Sequence, residues 1–189
     1  MQLYTRETLL ERLMLVPDLI GLYQAQDASF APAVLQWMTA TEDLLKRLRS
    51  PLVSMCSGQR ARLLAAVDGV HADAAAAGSS PRKASRAAAA LCLTQVEAAL
   101  RHRVQELDTQ LQVNAEKMAQ LVALGAAVKP LPVAPQTIDP SWLQLVWQQL
   151  AAVPETRHLH GYLSALMAPA DRHALLEDAV LNWHHGQQV

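Results

Sequence analysis

A stretch of 48 residues, from Pro81 to Val128, constrains the fold more than any other feature of this sequence. After Pro81 it contains no further proline, and its single glycine, Gly125, lies close to its end. A continuous helix of that length extends about 72 Å at about 1.5 Å per residue. A compact domain of this chain length has a radius of gyration of about 16 Å. The stretch therefore protrudes, is broken, or packs against other long helices.

Two dipeptides, each a good N-cap residue followed by proline, predict helix starts. Ser80 and Pro81 open the long stretch, because serine is a good N-cap residue and proline suits the first helical position. Asp139 and Pro140 predict a second start by the same reasoning. Weaker signals predict N-caps at Thr5 and Ser29, and a further helix that begins at Ser54 or Ser57 and ends near Gly69.

The second half of the long stretch carries a heptad pattern of apolar residues. Side chains spaced alternately four and three positions apart form one seam of a helix, as in coiled coils. We expect this seam to need a covering surface, supplied by the N-terminal helices or by a second chain. Its members, our candidate partner-binding residues, are Leu100, Val104, Leu107, Leu111, Asn114, Met118 and Leu121, and Gly125 continues the spacing.

Asn114 is the one polar residue of the seam, and it has two interpretations. A buried asparagine in a coiled-coil seam fixes register and partner number at a cost in stability. An asparagine at the edge of the bundle is simply solvated. The sequence leaves both interpretations open.

Composition favours an all-α fold. The chain is 51% hydrophobic and only 4% aromatic, and alanine and leucine, both good helix formers, supply most of the apolar content. We expect a helical bundle built around one long, coiled-coil-like helix, with a unit of short helices at the C-terminus. The expected division is a bundle over residues 1–128, a proline-rich connector over 129–140 and the short-helix unit over 141–189.

Charge and hydropathy narrow the classes of partner. Residues 1–129 carry 14 basic and 12 acidic side chains, and residues 130–189 carry two basic and five acidic ones. Neither part therefore has the large excess of basic residues that is typical of a nucleic-acid-binding protein. The sequence contains no run of about 18 apolar residues and no signal-peptide pattern at its start. Two cysteines do not make a disulfide framework. We expect a cytoplasmic protein without a membrane segment.

Histidines in the C-terminal region form the one pattern that resembles a metal site. His173, Glu177 and His184 share a stripe of the last predicted helix, and histidine and glutamate are ordinary zinc ligands. Further ligands would have to come from another segment. The alternative is that the three residues form the polar border of an apolar face, without a metal.

A basic cluster, Arg82, Lys83 and Arg86, opens the long helix. Positive charge is unfavourable at a helix N-terminus, so the cluster is a weak candidate for contact with an acidic partner or a nucleic acid. The alternative is an exposed surface run. Adjacent acids such as Glu42 and Asp43 are expected on solvated helix faces.

The sequence contains no recognisable catalytic or cofactor motif. The two cysteines lie in apolar helical stretches, where they pack inertly, and no glycine-rich phosphate loop is present. We therefore expect no catalytic residue and no cofactor. The expected function is that of a non-enzymatic protein–protein interaction protein, an adaptor or structural subunit that self-associates or joins a complex. The alternatives are a metal-binding helical domain or metalloenzyme that uses the C-terminal histidines, and a nucleic-acid-linked regulator.

Overall fold

The computed structural model describes residues 1–69, 80–133, 135 and 138–186. Within those residues the chain is helical and has no strand, which confirms the predicted all-α class. The described part contains eight α-helices and one 3-10 turn: α1 (Gln2–Leu13), α2 (Val16–Gln24), α3 (Phe30–Arg47), α4 (Val53–Val67), α5 (Pro81–Val128), α6 (Pro140–Ala152), the 3-10 turn (Pro154–Thr156), α7 (Arg157–Leu166) and α8 (Pro169–Gly186).

The long helix α5 has the bounds that its start signal and its lack of breakers predict, Pro81–Val128. The carbonyl oxygen of Ser80 accepts hydrogen bonds from the N–H groups of Lys83, at 2.9 Å, and Ala84, at 3.0 Å. Ser80 therefore precedes the first turn, as predicted. Gly125 does not end the helix, because its carbonyl oxygen still accepts a bond from the Lys129 N–H group at 2.9 Å.

The start of α1 differs from the prediction. Thr5 lies inside the helix, where its hydroxyl donates to the Met1 carbonyl oxygen at 2.9 Å, so its assignment as the N-cap is wrong. The first turn is capped instead by Asp171 of α8, whose carboxylate accepts bonds from the N–H groups of Gln2, at 2.6 Å, and Leu3, at 3.2 Å. A cap from so distant a position leaves no local pattern in the sequence.

Three further helix starts show how local caps vary. The Asp139 carboxylate accepts a bond from the Trp142 N–H group at 2.7 Å, as predicted for α6. Ser29 directly precedes α3 but its side chain makes no capping bond. α4 begins at Val53, earlier than the predicted serines, and Gly69 follows its end with a positive φ of 81°, which glycine adopts without strain.

Contacts divide the chain into two compact units, Glu7–Gln105 and a second that joins Met1–Arg6 to Glu106–Val189. We call them the N-terminal unit and the composite unit. Their boundary falls inside α5, whereas the sequence placed a connector at 129–140. The reason is that Met118, Leu121 and Val122 of α5 share one apolar core with α6, α7 and α8.

The N-terminal unit packs α3 against α4. Its centre is apolar, and the buried side chains include two cysteines. The indole N–H group of Trp37 on α3 donates to the carbonyl oxygen of Arg12 at 3.0 Å, which links α3 to the end of α1. The fully buried side chains of this unit include Val34, Met38, Leu45, Cys56, Leu63, Cys92, Val96 and Leu100.

The composite unit has a close helix approach at Gly125. A Cβ atom at that position would overlap the Leu150 side chain of α6 and lie 3.7 Å from the Thr156 Cγ2 atom. The proline-rich segment is bound to α6, because Gln149 donates to the Pro130 carbonyl oxygen at 2.8 Å and Trp142 donates to the Val133 carbonyl oxygen at 3.1 Å. The segment is therefore part of this unit where it is described.

Candidate protein-binding groove

The predicted seam of α5 is buried. All seven candidate residues, from Leu100 to Leu121, have less than a tenth of their surface exposed, and Gly125 is buried as well. This burial is present in a single chain. The seam is therefore covered by the protein's own helices, and its role as a surface for a second chain stays a prediction.

Asn114 is 6% exposed, so the structure favours the buried interpretation of this residue over the solvated one. It lies between Leu111 and Met118 on the buried side of α5. Burying an amide away from water costs free energy unless a partner satisfies its hydrogen bonds. Within the described residues, no atom of the Asn114 amide is both closed off from water and without a hydrogen-bond partner.

A groove of about 390 Å³ opens beside Asn114, within the composite unit. Three elements form it: the start of α1, the middle of α5 and the end of α7. The lining combines uncharged polar side chains with three large apolar or aromatic ones. Its residues are Gln2, Thr109, Gln110, Val113, Asn114, Tyr162 and Leu166.

Contacts between side chains fix two walls of the groove. Gln2 donates from its Nε2 atom to the Gln110 Oε1 atom at 3.1 Å, which joins α1 to α5. At Tyr162, another lining residue, the Lys117 ammonium lies 3.8 Å from the centre of the ring, which joins α5 to α7 by a cation–π contact.

Apolar surface is grouped at the rim of this groove. Val113 is 42% exposed, Tyr162 38% and Leu166 52%. Single exposed hydrophobic residues are ordinary on protein surfaces, whereas contiguous apolar patches of roughly a few hundred Å² or more mark interaction sites. The presence of three such side chains in one lining makes this groove our candidate for a site of protein contact.

Arg86, the third member of the predicted basic patch, is engaged within the N-terminal unit. Its guanidinium lies 4.6 Å from the centre of the Tyr23 ring and donates to the Tyr23 carbonyl oxygen in the last turn of α2. A cation at that end of a helix is favourable because it meets unpaired carbonyl groups. Arg82 and Lys83 are exposed. The cluster is thus divided between one packed side chain and two solvated ones.

The structure does not assemble a metal site from the C-terminal histidines. His173 and His184 lie on α8 about 16 Å apart, by their spacing on a helix. Within the described residues, no three side chains among histidine, cysteine, aspartate and glutamate are placed to hold a metal ion. Glu177 is partly buried on the same helix. The three candidates remain a partly buried polar border in this structure.

A different histidine, His160, has the more perturbed environment. Its ring lies 4.1 Å from the Trp147 ring, and the Arg172 guanidinium lies 4.7 Å from the centre of the same indole. Burial lowers the pKa of His160 below its ordinary value, and the nearby charge of Arg172 lowers it further. The half-buried ring is thus placed by its contact with Trp147.

Cys56, Cys92 and Glu42 are all buried in the N-terminal unit. Burial raises the pKa of the Cys56 thiol to about 11 and also raises that of Cys92, so both are poor nucleophiles at neutral pH. Glu42 is only 4% exposed, which corrects its expected place on a solvated face. Its carboxylate pairs with Lys46 and with Arg60 of α4, each at 2.7 Å.

Comparison with protein-family models, with curated proteins and with solved structures finds no match to this chain. None of the helices in the described ranges is both long and apolar enough to cross a membrane. The functional interpretation is therefore based on the residues that line the groove and on their exposure.

The apolar periodicity of α5 pointed to only one residue of the groove, Asn114. Asn114 was visible in the sequence because it interrupts an apolar seam. Gln2, Tyr162 and Leu166 were not singled out, because they come from two other helices that are far away in the chain. An exposed tyrosine and leucine four positions apart in a short helix give no signal by themselves.

Proposed function

We propose that this chain is a non-enzymatic protein–protein interaction protein, an adaptor or structural subunit, that binds a partner protein in the groove between α5 and α7. The observation that supports the proposal is the grouping of Val113, Tyr162 and Leu166, each more than a third exposed, at one rim. Apolar and aromatic side chains in such a setting are the usual anchors of protein interfaces. The cytoplasmic location expected from the sequence is part of this proposal.

The partner is a second protein rather than another copy that pairs along the seam. The seam was the reason to expect self-association, and its side chains are already buried within one chain. The two alternatives have less support. Arg86 of the basic patch packs on Tyr23, and the histidines of α8 do not converge on a metal site in the described part of the chain.

The test compares two substitutions of equally exposed leucines. Leu166 at the groove rim and Leu145 on α6 are both 52% exposed, and Leu145 does not line the groove. Full-length protein carrying Leu166→Glu or Leu145→Glu is used to recover bound proteins from its source cells, with quantitation by mass spectrometry. We expect a specific partner to be lost with Leu166→Glu and retained with Leu145→Glu. Equal recovery with both variants would refute binding through this groove.

A further inference from the structure

One indole ring of the composite unit is in contact with basic side chains from two other helices. The centre of the His160 ring, on α7, lies 4.1 Å from the centre of the Trp147 ring of α6, and the Arg172 guanidinium of α8 lies 4.7 Å from the same indole. Three helices therefore meet at Trp147. Two atoms, the Nε2 of His160 and the Nε of Arg172, are closed off from water and have no hydrogen-bond partner in the described part of the chain.

This arrangement suits a neutral imidazole. Burial and, after it, the positive charge of Arg172 lower the pKa of His160 below its ordinary value of 6.5. A hydrogen bond with the Trp147 backbone acts in the opposite direction but does not outweigh them. The ring is therefore mostly uncharged at pH 7, and its protonation belongs to mildly acidic solution.

Acidic groups near α7 are not placed to stabilise a protonated ring. Of the helices packed against α7, α6 has no charged or titratable side chain. Asp171 of α8, next to Arg172, accepts its hydrogen bonds from the start of α1. Glu155 of the 3-10 turn is exposed, and Glu177 lies more than one turn beyond Arg172. None of these acids contributes to the shift of the His160 pKa.

The basic groups oppose protonation or leave it unaffected. Two cations held at one indole repel each other, and Arg172 is always charged. The other bases of α5, α7 and α8 supply no negative charge, and they include Lys117, Arg157, His158 and His173.

Protonation of the ring also has a favourable contribution, because the face of an indole attracts a cation. At Trp147 that attraction already holds Arg172. A protonated ring would in addition carry an N–H donor at Nε2, an atom without a hydrogen-bond partner among the described residues. A buried, positively charged donor without an acceptor costs more free energy than a neutral acceptor without a donor. The unfavourable contributions are therefore the larger ones.

We propose that His160, Trp147 and Arg172 form a pH-sensitive switch, in which protonation of His160 in mildly acidic solution opens the contact of α7 with α6. At neutral pH the uncharged imidazole stacks on the indole and holds α7 in place. The ring is only half-buried, so on gaining a proton it can turn out to water. α7 also carries Tyr162 and Leu166, so its opening changes the wall of the groove, whatever the groove binds.

A nuclear magnetic resonance titration of the full chain between about pH 4 and pH 8 provides the first test. We expect the imidazole signals of His160 to titrate at a lower pH than those of His158, an exposed histidine of the same helix. The indole N–H signal of Trp147 should shift with the same midpoint as His160, because the two rings are in contact.

Hydrogen exchange of the α7 amides measures the opening itself. Protection, corrected for the intrinsic effect of pH on exchange, should fall as the pH drops below 6.5. The reason is that the His160 pKa is lower in the closed form, so the open form binds the proton more tightly. The amides of α3, in the N-terminal unit, serve as the internal control and should keep their protection.

Three variants assign the effect to the stacked side chains. His160→Phe keeps an aromatic ring against the indole but cannot take up a proton, so protection of α7 should no longer depend on pH. Arg172→Gln removes the neighbouring cation, so the His160 midpoint should move up towards that of His158. His158→Gln should behave as the unchanged protein does.

Four results would overturn the switch. Two are measured on the unchanged protein, so they do not depend on the folding of a variant: a His160 midpoint equal to that of His158, or a Trp147 signal that does not follow the titration of His160. The others are pH-dependent protection of α7 that persists in His160→Phe, and a His160 midpoint that does not move in Arg172→Gln.

Discussion

Among the described residues, each of the two units buries one carboxylate, and the two units neutralise it in different ways. In the N-terminal unit, Glu42 of α3 pairs with Lys46 one turn away and with Arg60 on the adjacent helix. In the composite unit, Asp171 accepts bonds from the backbone N–H groups at the start of α1, and the amino group of Met1 lies 3.1 Å from it. One acid is matched by two long, partly solvated side chains, and the other by two backbone N–H groups and the exposed ammonium of Met1.

This difference predicts how each unit responds to loss of its acid. The cations around Glu42 can return to water, because Lys46 is 54% exposed and Arg60 30% exposed. The N–H groups of Gln2 and Leu3 belong to the first turn of a helix, so they have no intrahelical acceptor to replace Asp171, and both residues are partly buried. We therefore expect the composite unit to be the more sensitive of the two.

The largest effect should come from Asp171→Ala. Two N–H groups lose a charged acceptor, each such bond being worth about 1.5–3 kcal/mol, so we expect the free energy of unfolding to fall by about 3 kcal/mol. Urea denaturation measures it, with Asp178→Ala, an exposed acid on the same helix, as the control. A loss no larger than that of the control would remove the distinction between the two carboxylates.

A smaller effect is expected from Glu42→Gln, about 1–2 kcal/mol, since both cations can be resolvated. Hydrogen bonds from Lys46 and then from Arg60 hold the pKa of Glu42 below the ordinary glutamate value of 4.5. The ion pairs of Glu42 with Lys46 and Arg60 therefore stabilise the fold fully above pH 4.5. This stabilisation is lost as the pH falls below 4.5 and through the lower pKa that Glu42 has in the folded state.

Urea denaturation between pH 3 and pH 7 tests this sign. The curve of stability against pH should be flatter for Glu42→Gln below about pH 4.5, while the neighbouring exposed variant Asp43→Asn should retain the slope. An unchanged slope in Glu42→Gln would show that other carboxylates carry the acid sensitivity.

The smallest expected effect concerns packing in the composite unit. Gly125→Ala should gain helix propensity but place a methyl group against Leu150, which is fully buried and has little space to move. We expect a net loss of about 1 kcal/mol from this overpacking. Gly161→Ala in α7, where no atom lies within 4 Å of the added Cβ, should instead stabilise the protein by up to about 1 kcal/mol. Thermal unfolding of the two variants should give shifts of opposite sign.

Local signals in the sequence predicted where helices begin, but not which side chains of different helices contact one another. Ser80–Pro81 and Asp139–Pro140 located two helix starts, because a cap acts within three residues of the turn it closes. Asp171 as the cap of α1 could not be predicted, since the two segments lie at opposite ends of the sequence. Burial of Glu42 was missed for the same reason, because Arg60 lies on a different helix.

The sequence did not predict the groove, and of the residues that line it only Asn114 was singled out beforehand. Asn114 interrupts the heptad seam, and the interruption was visible without a structure. The groove itself exists because α1 and α7 meet α5 at this position and leave Val113 and Leu166 exposed. Such a meeting of three helices depends on tertiary packing, which helix periodicity does not specify.

The central claim is that helices of the same chain cover the seam of α5, so that the groove is the surface that binds a partner. Sedimentation equilibrium of the purified chain tests this claim most directly. We expect a single species of 20.6 kDa, the mass of one chain, whose mass does not rise with concentration. A stable dimer that Leu107→Lys dissociates into folded monomers would contradict this interpretation, because the seam would then be an interface between two chains.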